Sequence, residues 1–404
     1  MYTSTSRRYD LDWLRVIAII GVLFYHVSMI FAMEENWHIK NKDQSYLFLE
    51  FNFWLSRFRM PLLFFISGVG VWYALKRRSG GQFMKERALR LLLPLVAGML
   101  LIVPPQVYIE RLSQGQPYPS YFDFYPSIFE FRPYPEGNTS WHHLWFILYL
   151  FIYAAAGLPL FLWLKRAGSI TQRLRWFAKG ANILWLIVPT ILLYTWLRPG
   201  NPQTNDLLHD YAFLPYWFTF FIVGYIVAVT PGLWDSIERN RRLFLAAAFI
   251  SLIVLNYLRW NGREPWDVLG DDWQDHPVSR LYYALYPIVG WSWVLTALGY
   301  GKRYLNRPHP ALEYANRGIY PFYILHQTVI VIIGYYVIAT NDGILEKYLF
   351  ISFVSLVLSV LVYHVFIRPF AVMRFIFGVK EDKKEQQKNR KLNETAEHET
   401  IAAI

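Results

Sequence analysis

The 404-residue chain contains no cysteine. That absence removes disulfide frameworks, thiolate zinc sites, iron–sulfur clusters and cysteine nucleophiles, while an oxidising compartment is neither required nor excluded. Charge is scarce as well: Asp, Glu, Lys and Arg make up 17% of the chain, where a water-soluble domain carries about 25%. No glycine-rich nucleotide loop, nucleophile elbow or zinc-protease motif occurs, which sets aside several common enzyme classes. The chain is instead filled with apolar and aromatic residues, 55% hydrophobic and 19% Phe, Trp or Tyr, and its mean hydropathy is positive. Composition therefore points to a membrane protein.

A bilayer core about 30 Å thick needs roughly 20 mostly apolar residues per helical span. Ten runs of this kind lie near Trp13–Met33, Trp54–Leu75, Leu89–Ile109, Leu144–Leu164, Ile183–Leu197, Tyr211–Val229, Leu243–Trp260, Leu281–Tyr300, Ile319–Thr340 and Tyr348–Phe370, the fifth being short. The expected fold class is all-α, a polytopic integral membrane protein with about ten transmembrane helices. Basic residues cluster in alternate connections: Arg7 and Arg8, the stretch from Lys76 to Arg90, that from Lys165 to Lys179, and Arg239, Arg241, Arg242, Lys302, Arg303, Arg307 and Arg317. By the positive-inside rule these are cytoplasmic, as are both termini. The net charge of +11 is then largely a topology signal, and no nucleic-acid partner is expected. The first run is too long for a cleaved signal peptide and no convincing small-residue cleavage site follows, so it reads as a retained span. Residues 1–378 form the expected transmembrane domain. Residues 379–404, with Lys380-Glu381-Asp382-Lys383-Lys384-Glu385, lack an apolar face and read as a disordered cytoplasmic tail. No internal repeat is evident, and the paired interrupted helices of an inverted-repeat transporter are not apparent.

Ionisable residues inside spans are costly, so each is a functional candidate beside a structural alternative. The first span holds Asp12, Arg15 and His26. Eleven residues separate Arg15 from His26, which is about three helical turns and roughly 16 Å of depth, so the two share a face with Asp12 close by. Alternatively, Asp12 and Arg15 pair at the membrane surface and His26 hydrogen-bonds a neighbouring helix. Arg87 and Arg90, three apart at the start of the third span, place two guanidinium forks where phosphate oxygens could be gripped, though arginines in such loops also serve as topology anchors. His142 and His143 open the fourth span, and Tyr320, Tyr323 and His326 recur every third residue in the ninth. These histidines show no metal-ligand spacing with carboxylates on one helix, so no metal is expected. Trp141, Trp260, Trp266 and Trp273 beside Asp267, Asp271, Asp272 and Asp275 would suit the apolar faces and hydroxyl edges of a sugar, and an interfacial aromatic belt explains the tryptophans equally well.

The segment Tyr9-Asp10-Leu11-Asp12-Trp13-Leu14-Arg15 followed by His26 resembles the first helix of the membrane acyltransferase family 3, whose pattern is an arginine, ten residues, then a histidine. Phe58-Arg59-Met60-Pro61 through Ser67-Gly68 is similar to that family's second helix, and Arg87-Ala88-Leu89-Arg90 to its arginine-x-x-arginine motif. His143-Leu144-Trp145-Phe146 and Tyr323-Ile324-Leu325-His326 extend the resemblance over about residues 9–370. In layout the chain resembles the branch that includes the periplasmic glucan succinyltransferase. The resemblance implies transfer of an acyl group, acetyl or succinyl, from cytoplasmic acyl-CoA to a hydroxyl of an envelope or periplasmic glycan, in a bacterial inner membrane. It implies His26 as catalytic base or transient acyl carrier, Arg15 as a donor-orienting residue held by Asp12, and Arg87 and Arg90 as ligands of the CoA phosphates. Ser67, His143, Trp145, Tyr323 and His326 are further pocket candidates. A secondary transporter of a small polar or anionic solute is the rival reading, since ten spans and buried ionisable groups need no chemistry.

Overall fold

The computed structural model describes residues 7–34, 36–116 and 118–379. Among these residues the regular structure is helical, with two isolated bridges and no strand. The helices that build the interior are α1 (Tyr9–Met29), α2 (Arg59–Leu75), α3 (Pro104–Ser113), α4 (Trp145–Arg166), α5 (Phe213–Val229), α6 (Arg241–Trp260), α7 (Pro277–Tyr304), α8 (Pro310–Val337) and α9 (Ile344–Val362). Eight helical segments are long and apolar enough to cross a membrane, and up to ten if each of two bent pairs is one span. All ten runs read from the sequence fall on these segments. The fifth and sixth runs are the bent pairs, Gly168–Ala178 with Asn182–Leu197 at 116° and Phe213–Val229 with Leu233–Arg239 at 107°. The tail expected over 379–404 lies, from residue 380 onward, outside the described residues.

Burial sorts the helices. Along α8, Phe322 to Thr328 are all buried; α1 packs beside it, and α2 packs its apolar residues inward against α5 and α1. By contrast α6 exposes Phe249, Ile250, Ile253 and Val254, and α9 exposes Leu349, Phe350 and Phe353, as lipid-facing helices do. The tightest crossing is between α2 and α5. A β-carbon at Gly68 would lie 1.9 Å from the Phe221 carbonyl oxygen, and one at Gly224 would lie 2.1 Å from that of Phe65. Two glycines therefore let the backbones touch reciprocally, with aromatic side chains closing around them.

Two irregular segments shape the polar interior. The span from Gly80 to Ser113 is not one helix: a π-turn occupies Ala88–Leu92, and the chain breaks at Ile102 and Val103 before Pro104 and Pro105 start α3. The Ile102 carbonyl freed by the break accepts from Thr328 Oγ1 at 2.6 Å, which restores a bond the helix has lost. The loop after α1 folds back on itself, with the Asn41 amide donating to the Ile30 carbonyl at 3.0 Å and Lys40 Nζ to that of Met29 at 2.8 Å. This return brings Trp37 and His38 over the end of α1.

Candidate active site

His26 lies three residues before the end of α1, part-exposed, and its Nδ1 is 2.9 Å from Nε2 of the fully buried His326 on α8. The partners fix the tautomers. His326 Nδ1 sits 2.6 Å from the Tyr323 carbonyl oxygen, which only accepts, so this nitrogen carries the proton. In neutral His326, Nε2 is then a bare lone pair and must accept from His26 Nδ1–H. The remaining lone pair of His26 is on Nε2, which makes no hydrogen bond among the described residues. Residues far apart in sequence thus form a proton-accepting nitrogen whose imidazolium would be stabilised by His326, the role a carboxylate plays in a hydrolase triad.

The surroundings hold both rings. They lie end to end and nearly coplanar, centroids 5.1 Å apart and planes at 14°, and Trp37 lies 6.2 Å from His26 at 18°. His143 meets His326 edge-on at 5.2 Å and donates from Nε2 to the Ile324 carbonyl at 3.0 Å, which leaves its buried Nδ1 without a partner among the described residues. The Tyr323 hydroxyl donates to the His143 carbonyl. The nearly buried Arg59 guanidinium covers the ring of Tyr25 at 3.4 Å and acts electrostatically on both His26 and His326.

A second polar group continues from His326 through the next residue. Gln327 Nε2 lies 3.0 Å from both Gln106 Oε1 and His38 Nε2, and Gln106 Nε2 donates to Thr328 Oγ1 at 2.6 Å. His38 Nδ1 is hydrogen-bonded to Glu110 Oε2, and Tyr134 donates to Glu110 Oε1 at 2.7 Å. Burial, and then the bond to Glu110, hold the Tyr134 phenol well above its ordinary range. Gln106 and Glu110 are four apart, so one face of α3 presents both. Sequence reasoning missed His38, Gln106, Glu110 and Gln327. The available signal was Glu110, a carboxylate one residue past the apolar run that closed at Ile109.

At the other end of α1, Asp12 accepts from Arg7 Nε at 2.9 Å and from Arg15 Nη1 at 3.3 Å, so the expected Asp12–Arg15 pair is present. Arg87 lies within electrostatic range of Arg15, Arg90 and Arg78. Arg8 is paired with Asp10 and Arg78 with Glu86. Among the described residues neither Arg87 nor Arg90 makes an ion pair. The π-turn between them adds a residue to the helical turn, so the two forks are splayed more widely than α-helical spacing implies.

Two sequence candidates fall elsewhere. The Ser67 hydroxyl donates back to the Leu63 carbonyl at 2.7 Å within its own helix, so the Ser67-Gly68 pair marks the crossing of α2 and α5. Trp145 stacks on Trp217 at 4.6 Å in the aromatic core. Trp266 and Trp273 pack with Tyr282 and Tyr283, and no ring contact or hydrogen bond among the described residues joins them to the histidines.

The chain is similar along nearly its whole length to proteins named glucans biosynthesis protein C from Salmonella heidelberg (strain SL476), Salmonella paratyphi B and Salmonella agona. Each is 23% identical over 414 residues, covering 95% of this chain and 97% of the relative. No solved structure matches. Residues 8–364 match the family described as an acyltransferase domain, and with a hydrogen-bonded histidine pair inside a multi-pass helical bundle the chain belongs to that family of membrane acyltransferases.

Proposed function

We propose that this acyltransferase moves an acetyl or succinyl group from acyl-CoA to a hydroxyl of an envelope glycan. The observation that carries the reading is the His26–His326 pair, which leaves His26 Nε2 as the available base on the stripe that begins with Arg15. Arg87 and Arg90, with no ion pair among the described residues, grip the CoA phosphates, and Arg15, held by Asp12, orients the donor. The thioester then reaches the histidines through the depth of the bundle, roughly 16 Å by helical rise. His26 Nε2 takes the proton of the acceptor hydroxyl as its oxygen attacks the thioester carbonyl. Collapse of the tetrahedral intermediate breaks the carbon–sulfur bond, and the CoA thiolate takes up that proton. His143 and Tyr323 wall the pocket around His326.

The arginine end faces the cytoplasm, as do both termini, by the distribution of Lys and Arg. A bacterial inner membrane suits a cytoplasmic donor and an envelope acceptor, and the relatives are named for glucans biosynthesis. Residues 1–378 act as one transmembrane catalytic domain. The test measures base-labile acyl ester on envelope glycans of cells lacking the protein, complemented with wild type or with His26→Ala at equal expression. Ester restored by wild type alone supports the reading. Equal restoration by both removes His26 from the chemistry, and solute accumulation without CoA release would move the assignment to a transporter.

A further inference from the structure

His38, Glu110 and His142 meet beyond His26, at the end of α1 away from the arginines, and the proposed reaction uses none of them. They come from three separate segments, the loop after α1, the last turn of α3 and the turn before α4, so no spacing in the sequence announces them. One potential ligand atom from each lies within 4.8 Å of the others. Four observations make this a built cluster. The His38 and Glu110 side chains are buried. His142 Nε2 is buried and has no hydrogen-bond partner among the described residues. His142 has φ 40°, a left-handed conformation that residues with a β-carbon rarely adopt, and its ring lies 4.6 Å from that of His38 and 4.8 Å from that of Tyr134.

The fourth observation is that the far side of each group is already held. His142 Nδ1 is 3.0 Å from Ser140 Oγ, His38 Nε2 is 3.0 Å from Gln327, and Glu110 Oε1 accepts from Tyr134 at 2.7 Å and from Gln114 at 3.2 Å. The loop carrying Tyr134 is pinned beside Glu110 by Arg111, which donates to the Pro135 carbonyl at 2.7 Å and to that of Gly137 at 2.8 Å. Metal-binding imidazoles and carboxylates are fixed in this way by outer partners.

We propose that His38, Glu110 and His142 bind a zinc-type divalent cation, in departure from the sequence-based expectation of no metal. Two neutral imidazoles and one carboxylate are a three-ligand zinc set, with the fourth position open to water or an alcohol hydroxyl. Zinc bonds of about 2.1 Å set tetrahedral ligand atoms about 3.4 Å apart, so side-chain rotation must draw the widest pair in by at most about 1.4 Å and open the hydrogen bond between His38 and Glu110. Binding displaces the proton that His38 Nδ1 shares with Glu110. His38 Nε2 then carries the proton and donates to Gln327 Oε1, and the Gln106 amide turns with it, so that Gln106 Nε2 donates to the same oxygen and Thr328 Oγ1 donates to Gln106 Oε1. Because Trp37 precedes His38 and Gln327 follows His326, the ion would lie beside the histidine pair.

The test uses the full-length protein in detergent, stripped with a chelator and titrated with zinc chloride by calorimetry, with bound metal counted by mass spectrometry after desalting. The expected result is one zinc per wild-type chain, with affinity at least tenfold weaker in His142→Ala and in Glu110→Gln and unchanged in His209→Ala, which removes an exposed histidine next to Asp206. Zinc is also expected to raise the melting temperature of wild type and not of His142→Ala. Should a variant fail to fold, the X-ray absorption spectrum of the zinc-loaded wild type reads the ligands directly. Two imidazoles on the metal support the site. Failure of wild type to retain zinc, undiminished binding in both variants, or a spectrum without imidazole overturns it.

Discussion

The two ends of the polar stripe on α1 follow opposite rules. At the arginine end, cations outnumber the carboxylates that reach them: Asp10 takes Arg8, Asp12 takes Arg7 and Arg15, Glu86 takes Arg78, and Arg87 and Arg90 are left over among the described residues. At the histidine end most groups pair through neutral tautomers, carbonyls and amides, with the Glu110 carboxylate bonded to His38, Tyr134 and Gln114 and the Arg59 guanidinium lying over Tyr25. Burial explains the difference. A surplus of charge is tolerable near the bilayer surface, where it draws an anionic partner, whereas in the interior an unpaired ion is expensive and neutral hydrogen-bonded groups place protons at lower cost.

The largest test of that contrast is at the deep end. His26→Ala is expected to lower transfer by about a thousandfold, read as glycan ester formed per enzyme, with donor KM little changed. His326→Ala leaves His26 Nδ1–H without its acceptor and is expected to cost roughly a hundredfold in kcat, again with a near-constant donor KM. At the shallow end the signature reverses. Arg87→Ala and Arg90→Ala are each expected to raise donor KM by roughly tenfold at low salt with kcat preserved, and the effect shrinks as ionic strength rises. A fall in kcat instead would place those arginines in the chemistry and erase the division between ends. The smallest effects lie in α2. Gly68→Ala should lower stability by about 3 kcal/mol through overpacking, seen in thermal unfolding in detergent, while Ser67→Ala should change activity less than twofold.

Hydropathy reveals the spans because a bilayer imposes their length, and the Arg15–His26 stripe is visible because helical rise and rotation are fixed. His326 could be named as a pocket candidate, but its pairing with His26 depends on how α1 and α8 pack, which no local pattern encodes. His38 escaped notice because it sits in a polar loop that returns over the bundle, and Gln106 and Gln327 because an uncharged amide does not stand out among the ionisable residues that mark a site inside a span. Ser67 illustrates the converse: a hydroxyl beside a glycine reads as chemistry, and here the glycine makes a helix crossing while the hydroxyl satisfies its own helix. The Arg87–Arg90 spacing was legible, but the π-turn that reshapes it was not.

The reciprocal contact of Gly68 with Phe221 and of Gly224 with Phe65 has a mechanical consequence. Backbones locked at such short range cannot slide past one another without collision, so α2 and α5 behave as a single rigid strut. Under the proposed function, room for a bulky acceptor comes from parts that are not riveted in this way: the returning loop that carries Trp37 and His38, and the short helix α3, detached from its span by the break at Ile102 and Val103. The pieces best placed to open a doorway are the same ones that carry polar groups to the histidine pair.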